Sequence, residues 1–499
     1  MSSQTPSSLH FVLIPLMASG HQIPMVDMGK LLSQHGVAVT IVTTPVNSLR
    51  LDPLITAHNV KFGLKIQLLS IRFPCVEAGL PNGCENLEDL PSRNMSRHFF
   101  DAARMLQKPL EKILKDIQPP PTCIISDKHL PWTVQIASKF RIPRILFDGM
   151  SCFSFVCSHN IMISKVYEQQ SDLETFVVPG LPDRIELNRA QLPSSFNHGS
   201  LDLVDLRKEI VEAEKASYGW VINSFEDLEK AYVQEYRKTK GDKVWCVGPV
   251  SLCNEGDSDK AHRGNRSSIN EGQCLRWLDS WPPGSVIYAC LGSLSCPTAP
   301  QLIELGSGLE ATGRPFIWVI RKSEITTSND DLQVWVSELE GRVRDRGLLI
   351  WGWAPQMLIL SHPSVGGFLT HCGWNSTLEG VCAGVPMVAW PLFAEQFYNE
   401  RFIVKVLGTG VSVGVRAAIK WGEEGKAAVL VKREDVRKSV EEVMSGGREG
   451  EEMRKRATRL AEMAKRATGG GGSSYLEIKA FVEDVKQVSN KLRQQVKDS

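Results

Sequence analysis

The chain has 499 residues, 42% of them hydrophobic and 23% charged, an ordinary globular composition on a chain long enough for two domains. A net charge of +1 excludes the basic footprint with which nucleic-acid binders meet phosphate. Met1 to Ser8 carries no Lys or Arg, so the first apolar run, Phe11 to Met17, lacks the charged flank of a secretory leader. No uninterrupted apolar stretch of about 18 residues offers a stable membrane insertion, and a cytoplasmic protein is expected. The 12 cysteines are scattered without a C-x-x-C pair and read as reduced thiols.

Phe11 to Ile14 reads as a buried strand. Ile23 to Gln34 follows as a helix, with Met25, Met28 and Leu32 on one face and Gly36 just beyond its end. Val37 to Thr43, Cys123 to Ser126 (closing on Asp127) and Ile145 to Phe147 are further strands. Strand and helix in alternation predict an α/β protein of doubly wound parallel sheets. From Leu252 to Gln273 the chain turns polar, charged and glycine-containing, the signature of a linker or mobile loop. The rhythm then restarts with strands at Val286 to Cys290, Phe316 to Ile320, Leu348 to Ile350, Phe368 to Thr370, Met387 to Trp390 and Val411 to Val413. Helices are predicted at Arg433 to Met444, Glu451 to Ala467 and, after the break at Gly469 to Gly472, Tyr475 to Val488. The expected organisation is residues 1–252, a linker at 253–273, a second domain at 274–472 and a final helix in 473–499, with a cleft between the two sheets for a small molecule.

The segment from Trp353 to Gln396 is the densest in chemistry: WAPQMLILSHPSVGGFLTHCGWNSTLEGVCAGVPMVAWPLFAEQ. A strand ends at Thr370, His371 to Gly373 turn, and a helix starts at Trp374. Free amides at a helix start, with the helix dipole, make an anion site. Gly373 permits close backbone approach, and His371, Asn375 and Ser376 add donors at the same end. Asn375 and Glu379 are four apart, hence on one face, and a carboxylate one turn past a phosphate site suits a ribose diol. Trp353 offers a flat face for a base. Glu395 and Gln396 follow a second strand end, where acid and amide suit sugar hydroxyls.

His21 follows the first strand and Asp127 closes a later one, so both lie at the carboxyl edge of one sheet. Histidine is mostly neutral at cytosolic pH and fit to accept a proton, and a carboxylate on its other nitrogen would fix the tautomer. From the residues alone, His21 is equally readable as a helix cap and Asp127 as a strand-end turn.

The Trp353 to Gln396 segment resembles the signature box of plant secondary-product UDP-glycosyltransferases, a family-1 branch with the GT-B fold. WAPQ, HCGWNS and the closing PLFAEQ carry the match. GHQIPMVDMGKLL, the SD before a Pro-Trp-Thr helix, and FVVPGLP extend it into the first half. The resemblance implies an inverting transfer of glucose from UDP-glucose, as co-substrate, to a hydroxyl of a small lipophilic acceptor: terpenoid or triterpenoid, flavonoid or other phenolic, or hormone. It implies that Trp353 stacks on uracil and the Ala354 backbone pairs with its edge. Gln356 and Glu379 would bind ribose. His371, Gly373, Asn375, Ser376 and Ser293 would hold the diphosphate, and Trp374, Glu395 and Gln396 the hexose, the Gln396 amide bridging two hydroxyls. Where most members carry Asp, this chain keeps the charge on Glu395, one methylene longer. His21 would be the base and Asp127 its orienting partner. Domain 1–252 would bind the acceptor, domain 274–472 the donor, and the final helix would cross back to the first domain.

The acceptor pocket is expected from first-domain loops at Asn94 to Phe100, His129 to Trp132, Gly149 to Phe155 and Pro179 to Leu192, with Met150, Phe153 and Phe155 as an apolar wall. No metal or other cofactor is expected. Asp257 and Asp259 form a D-x-D, but in the polar linker, where they read as solvated charges. The first strand is followed by MASGHQ instead of G-x-G-x-x-G, and Gly292 to Cys296 lacks the last glycine of G-x-S-x-G. A monomer is expected. The alternatives are a non-catalytic UDP-sugar-binding protein, or the same enzyme with another UDP-sugar.

Overall fold

The computed structural model describes residues 9–196, 203–321, 330–423 and 430–497. In the first half, β1 (His10–Ile14), β2 (Ala38–Thr43), β3 (Ile66–Ser70), β4 (Cys123–Asp127) and β5 (Arg144–Asp148) precede a small antiparallel hairpin of β6 (Thr175–Val177) and β7 (Glu186–Asn188). β8 (Gly219–Ile222) and β9 (Val244–Cys246) complete a parallel sheet ordered β3-β2-β1-β4-β5-β8-β9. The second half holds β10 (Val286–Cys290), β11 (Phe316–Ile320), β12 (Gly347–Trp351), β13 (Val365–Thr370), β14 (Met387–Ala389) and β15 (Gly410–Ser412). They form a second parallel sheet ordered β12-β11-β10-β13-β14-β15. Every residue of β1 and β4 is buried, as strands covered by helices on both faces require. Strand order reverses at β1/β4 in one sheet and at β10/β13 in the other, and such reversals open the crevice in which doubly wound sheets bind ligands.

The first helix, α1 (Ser19–Gln34), buries Met25, Met28 and Leu32 completely. It starts four residues before the predicted Ile23, so His21 stands in its first turn and not in the connection before it. The cause is distant: Glu88 accepts from the Ser19 backbone amide at 3.0 Å and from its hydroxyl, capping a helix end that has no local side-chain cap. β3 is an edge strand with partly exposed residues, and β9 has three residues, too short to stand out as an apolar run.

The polar stretch after Leu252 is no free tether. α2 (Asp257–His262) is a short helix, and Asp259 pairs with Lys61 of the first half at 2.8 Å, while Asp257 stays largely solvated. Part of its polarity is met by partners from both halves, while other residues such as Asp257 and Arg266 stay exposed. After α3 (Trp374–Ala383) and α4 (Gln396–Arg401), the chain ends in α5 (Ser473–Lys497), which returns to the first sheet. There Phe481 is fully buried, 5.7 Å from the Phe11 ring and 5.0 Å from that of Trp245 between centroids. Asp484 accepts from the Tyr218 hydroxyl at 2.8 Å. All twelve cysteines are thiols, nine of them buried. Among the described residues no helix is long and apolar enough to cross a membrane.

Candidate active site

The two strand-order reversals face one cavity of about 1740 Å³. On the first-half side, the first turn of α1 presents His21 and the end of β4 presents Asp127. His21 Nδ1 lies 2.6 Å from Asp127 Oδ2, with the carboxylate 4% exposed and the imidazole 30%. Asp127 Oδ1 accepts from both the backbone amide and the ring Nδ1 of His129, each at 2.9 Å. An ionised carboxylate only accepts, so each imidazole carries its proton on Nδ1 and leaves Nε2 as the basic nitrogen.

Burial pulls the His21 pKa down, but the charge and hydrogen bond of Asp127 outweigh it and leave the value raised. His129 shares the same carboxylate and ends lowered, because burial dominates and His21 and Lys128 add repulsion. Burial pushes Asp127 up, yet the two imidazoles carry it well below the usual carboxylate range. Lys128 is opposed by burial and kept charged by Asp148, 3.5 Å away, and by neighbouring acids including Glu395.

On the second-half side, β13 ends at Thr370 and Cys372 takes φ +64 in the turn into α3. The His371 ring lies in a slot between Gly292 (φ +82) and Gly373. A Cβ on either glycine would come closer than 3.0 Å to the ring. Burial lowers the His371 pKa to about 4, so the ring is neutral at cytosolic pH, and its Nδ1 is buried without a hydrogen-bond partner.

The α3 start carries Trp374, Asn375 and Ser376. The Trp374 indole N–H donates to the Asn223 carbonyl at 2.7 Å, and Asn375 Nδ2 spans the cleft to the Gly20 carbonyl at 2.6 Å. Gln356 Nε2 donates to Ser376 Oγ (3.1 Å) and to Glu379 Oε2 (2.7 Å), so the two expected ribose residues touch. Trp353, Ala354 and Ser293 line the same wall.

Glu395 and Gln396 open α4 across from His21. Burial pushes the Glu395 carboxyl up, against the pull of Lys128 and His21. Gln396 Oε1 accepts from the backbone amides of Leu392 (2.8 Å) and Phe393 (3.1 Å). Its carbonyl is therefore committed to its own turn, and the expected two-sided amide bridge reduces to an NH2 donor.

Residues 7–252 match the family model described as "Glycosyltransferase, N-terminal domain", and residues 277–435 match "UDP-glucoronosyl and UDP-glucosyl transferase". UDP-glycosyltransferase 73E1 of Stevia rebaudiana is 50% identical over 485 residues, covering 96% of this chain and 97% of that protein. The chain belongs to the plant family-1 UDP-glycosyltransferases. UDP-glycosyltransferase 73C5 of Arabidopsis thaliana is 49% identical over 494 residues, 98% of this chain and 99% of that one. Among solved structures, Glycyrrhiza uralensis UGT73P12 complexed with glycyrrhetinic acid 3-O-monoglucuronide superposes with a TM-score of 0.91 at 38% identity, covering 98% of both chains. Arabidopsis thaliana UGT89C1 complexed with UDP-L-rhamnose gives 0.70 at 32%, covering 96% of this chain and 99% of that one. The protein is an enzyme, a UDP-sugar glycosyltransferase of the GT-B fold.

The cavity of this transferase gathers His21, Asp127 and all twelve expected donor residues. Met150 and Phe155 also line it, but Phe153 does not: it is fully buried, its ring 4.8 Å from Tyr232 and 4.9 Å from Phe402, and belongs to the core. Phe153 lies in the buried first turn of a helix from Cys152 to Ser164, and its ring packs against those aromatics. The second half also lines the cavity with apolar residues outside the first-domain loops expected for the acceptor. Phe393, Ile419 and Trp421 line the cavity; the Trp421 indole donates to Ser96 Oγ at 3.0 Å and its ring lies 4.7 Å from the Arg93 guanidinium. His129 was expected only in an acceptor-pocket loop, not as a partner of Asp127, and Arg263 was unassigned from sequence. His129 carries the signal of lying two residues past Asp127; Arg263 sits in a polar stretch that gives none. The side chains of His21, Asp127 and His129 place their ligating atoms within 4.8 Å of one another, a donor set chemically able to take a divalent ion.

Proposed function

We propose that this transferase moves glucose from UDP-glucose to a hydroxyl of a small lipophilic acceptor, with inversion at the anomeric carbon and without a metal. The observation that carries this reading is the His21–Asp127 pair facing, across one cavity, a helix start with a neutral imidazole and close-packed glycines. The acceptor O–H gives its proton to His21 Nε2 while its oxygen bonds to the anomeric carbon, and the bond from that carbon to the UDP oxygen breaks. Asp127 holds the Nδ1–H and stabilises the imidazolium. The α3 start, His371, Asn375, Ser376 and Ser293 take up the charge on the departing diphosphate. Trp353 and Ala354 hold uracil, Gln356 and Glu379 the ribose, and Trp374, Glu395 and Gln396 the hexose. A single displacement fits Asp127, whose carboxylate is engaged by two imidazoles and so is not free to act as a nucleophile.

Met150, Phe155 and Trp421 offer apolar wall for terpenoid, flavonoid or other phenolic, or hormone acceptors. The glycyrrhetinic acid glucuronide bound to a relative of the same shape supports an acceptor of that size. Twelve thiols suit a cytoplasmic enzyme, and we take it to act as a monomer.

The test is kcat/KM for UDP-glucose, UDP-galactose and UDP-glucuronate against a panel of phenols and triterpenoids, with product linkage determined. An axial hydroxyl would leave the Gln396 NH2 unpaired, a loss of about 1–3 kcal/mol, and a uronate would meet Glu395. Equal use of glucose and galactose donors, or preference for glucuronate, contradicts the reading.

A further inference from the structure

Arg263 belongs to the segment that joins the two halves, yet its side chain is only 8% exposed. Its guanidinium is forked between carboxylates of opposite halves. Nε donates to Asp27 Oδ2 of α1 at 2.7 Å, and Nη1 donates to Glu379 Oε1 of α3. Both acids are buried, at 1% and 6% side-chain exposure. The remaining Asp27 oxygen accepts from Asn254 Nδ2 at 2.9 Å, and the remaining Glu379 oxygen accepts from Gln356 Nε2 at 2.7 Å. A continuous polar chain therefore runs from the helix that carries His21, through Arg263, to the two residues assigned to the ribose.

The next residues hold Arg263 in register. Gly264 adopts φ +100, and a Cβ there would lie 2.5 Å from the Trp353 ring and 3.0 Å from Ile23 of α1, so only glycine passes between them. Asn265 accepts from Arg50 and donates to Ser19 Oγ at 3.2 Å. Ser268 brackets Trp353: its amide donates to the Trp353 carbonyl at 2.9 Å, and its hydroxyl accepts from the Trp353 amide at 3.0 Å. Arg263 to Ser268 is thus a strap fastened on one side to the start of α1 and on the other to Trp353 and Glu379.

A buried carboxylate with no cation would be neutralised or drawn toward water. A guanidinium is suited to prevent this at two acids at once, because its planar fork donates in fixed directions, where an ammonium is a single point charge. We propose that Arg263 is a positioning residue of the transfer reaction: it holds the Glu379 carboxylate aimed at the ribose diol, and through Asp27 it ties that carboxylate to the helix carrying the base. The inference rests on the assignment of Glu379 to the ribose.

The test compares UDP with 2′,3′-dideoxy-UDP by calorimetry on the full-length wild type, Arg263→Lys and Asp27→Asn. Wild type should bind UDP at least about tenfold more tightly, the usual size of a lost hydrogen bond to a charged group. Arg263→Lys should bring the ratio close to one and raise the donor KM by the same factor, with the acceptor KM unchanged. Asp27→Asn leaves every donor-contacting side chain in place and should narrow the ratio part of the way. If Arg263→Lys fails to fold, that second variant carries the test alone. A purely structural strap would weaken both nucleotides equally, and an unchanged ratio in the variants overturns the inference while leaving the ribose assignment intact. A wild-type ratio near one overturns the ribose assignment, and the inference with it.

Discussion

At β1/β4 the first half places one carboxylate between two imidazoles, whereas at β10/β13 the second half places one imidazole between two glycines. The topological position is the same in both sheets: the edge where strand order reverses. The electrostatics are opposite. Asp127 raises His21, which suits that side to the proposed proton transfer, while unrelieved burial holds His371 at about 4, which suits the other side to the proposed role of a neutral cradle for an anion. A doubly wound sheet therefore fixes where a ligand lies, and the side chains packed at the reversal decide which step of the reaction is served there.

The sharpest way to break this contrast is Asp127→Asn. The base must be neutral to accept a proton, so in the wild type kcat/KM should fall as pH drops through the raised His21 value, above about 6.5. Without the carboxylate charge, burial and Lys128 lower the ring against the weaker pull of Glu395, and the acid limb of the residual activity should move to lower pH. kcat should fall by about 10²–10⁴-fold, because the amide no longer enforces the Nδ1–H tautomer. A pH–rate profile with an unmoved limb and near-normal kcat contradicts the first half of the comparison.

The second half is probed by Gly373→Ala. The added Cβ would come closer than 3.0 Å to the His371 ring and force it from its slot. Overpacking of this kind costs about 1–3 kcal/mol, so UDP affinity measured by calorimetry should weaken by about tenfold, with the His21 limb of the pH profile unchanged. Unaltered UDP binding would mean that the slot does not serve the diphosphate. The smallest expected effect is none at all: exhaustive chelation with EDTA should leave the rate unchanged. A loss restored by magnesium or manganese would instead make His21, Asp127 and His129 a ligand set.

The two reversals were not equally legible in the sequence. On the β13 side the second lies within one continuous run from Trp353 to Gln396, so strand end, turn and helix start could be read from neighbouring residues, while β10 and Gly292 come from outside that run. His21 and Asp127 are 106 residues apart and could be joined only by the rule that parallel strands end at a common edge. What stayed hidden depends on contacts between distant segments. Arg263 looks solvated in its polar stretch and becomes buried only because Asp27 and Glu379 meet it from opposite halves. Glu88 caps α1 from far along the chain and moves His21 into the helix. Phe153 and Phe155 are equally apolar two residues apart, and only the packing of their helix sends the first to the core and the second to the cavity.

The measurement that tests the division between the two halves most directly is His21→Ala, with turnover and calorimetric UDP affinity determined on the same preparation. The proposed donor contacts lie in the second half, so kcat should fall by at least about 10²–10⁴-fold, the usual range for a positioned general base, while UDP binds as in the wild type. Near-normal turnover with unchanged UDP binding would show that His21 is structural and that the base lies elsewhere.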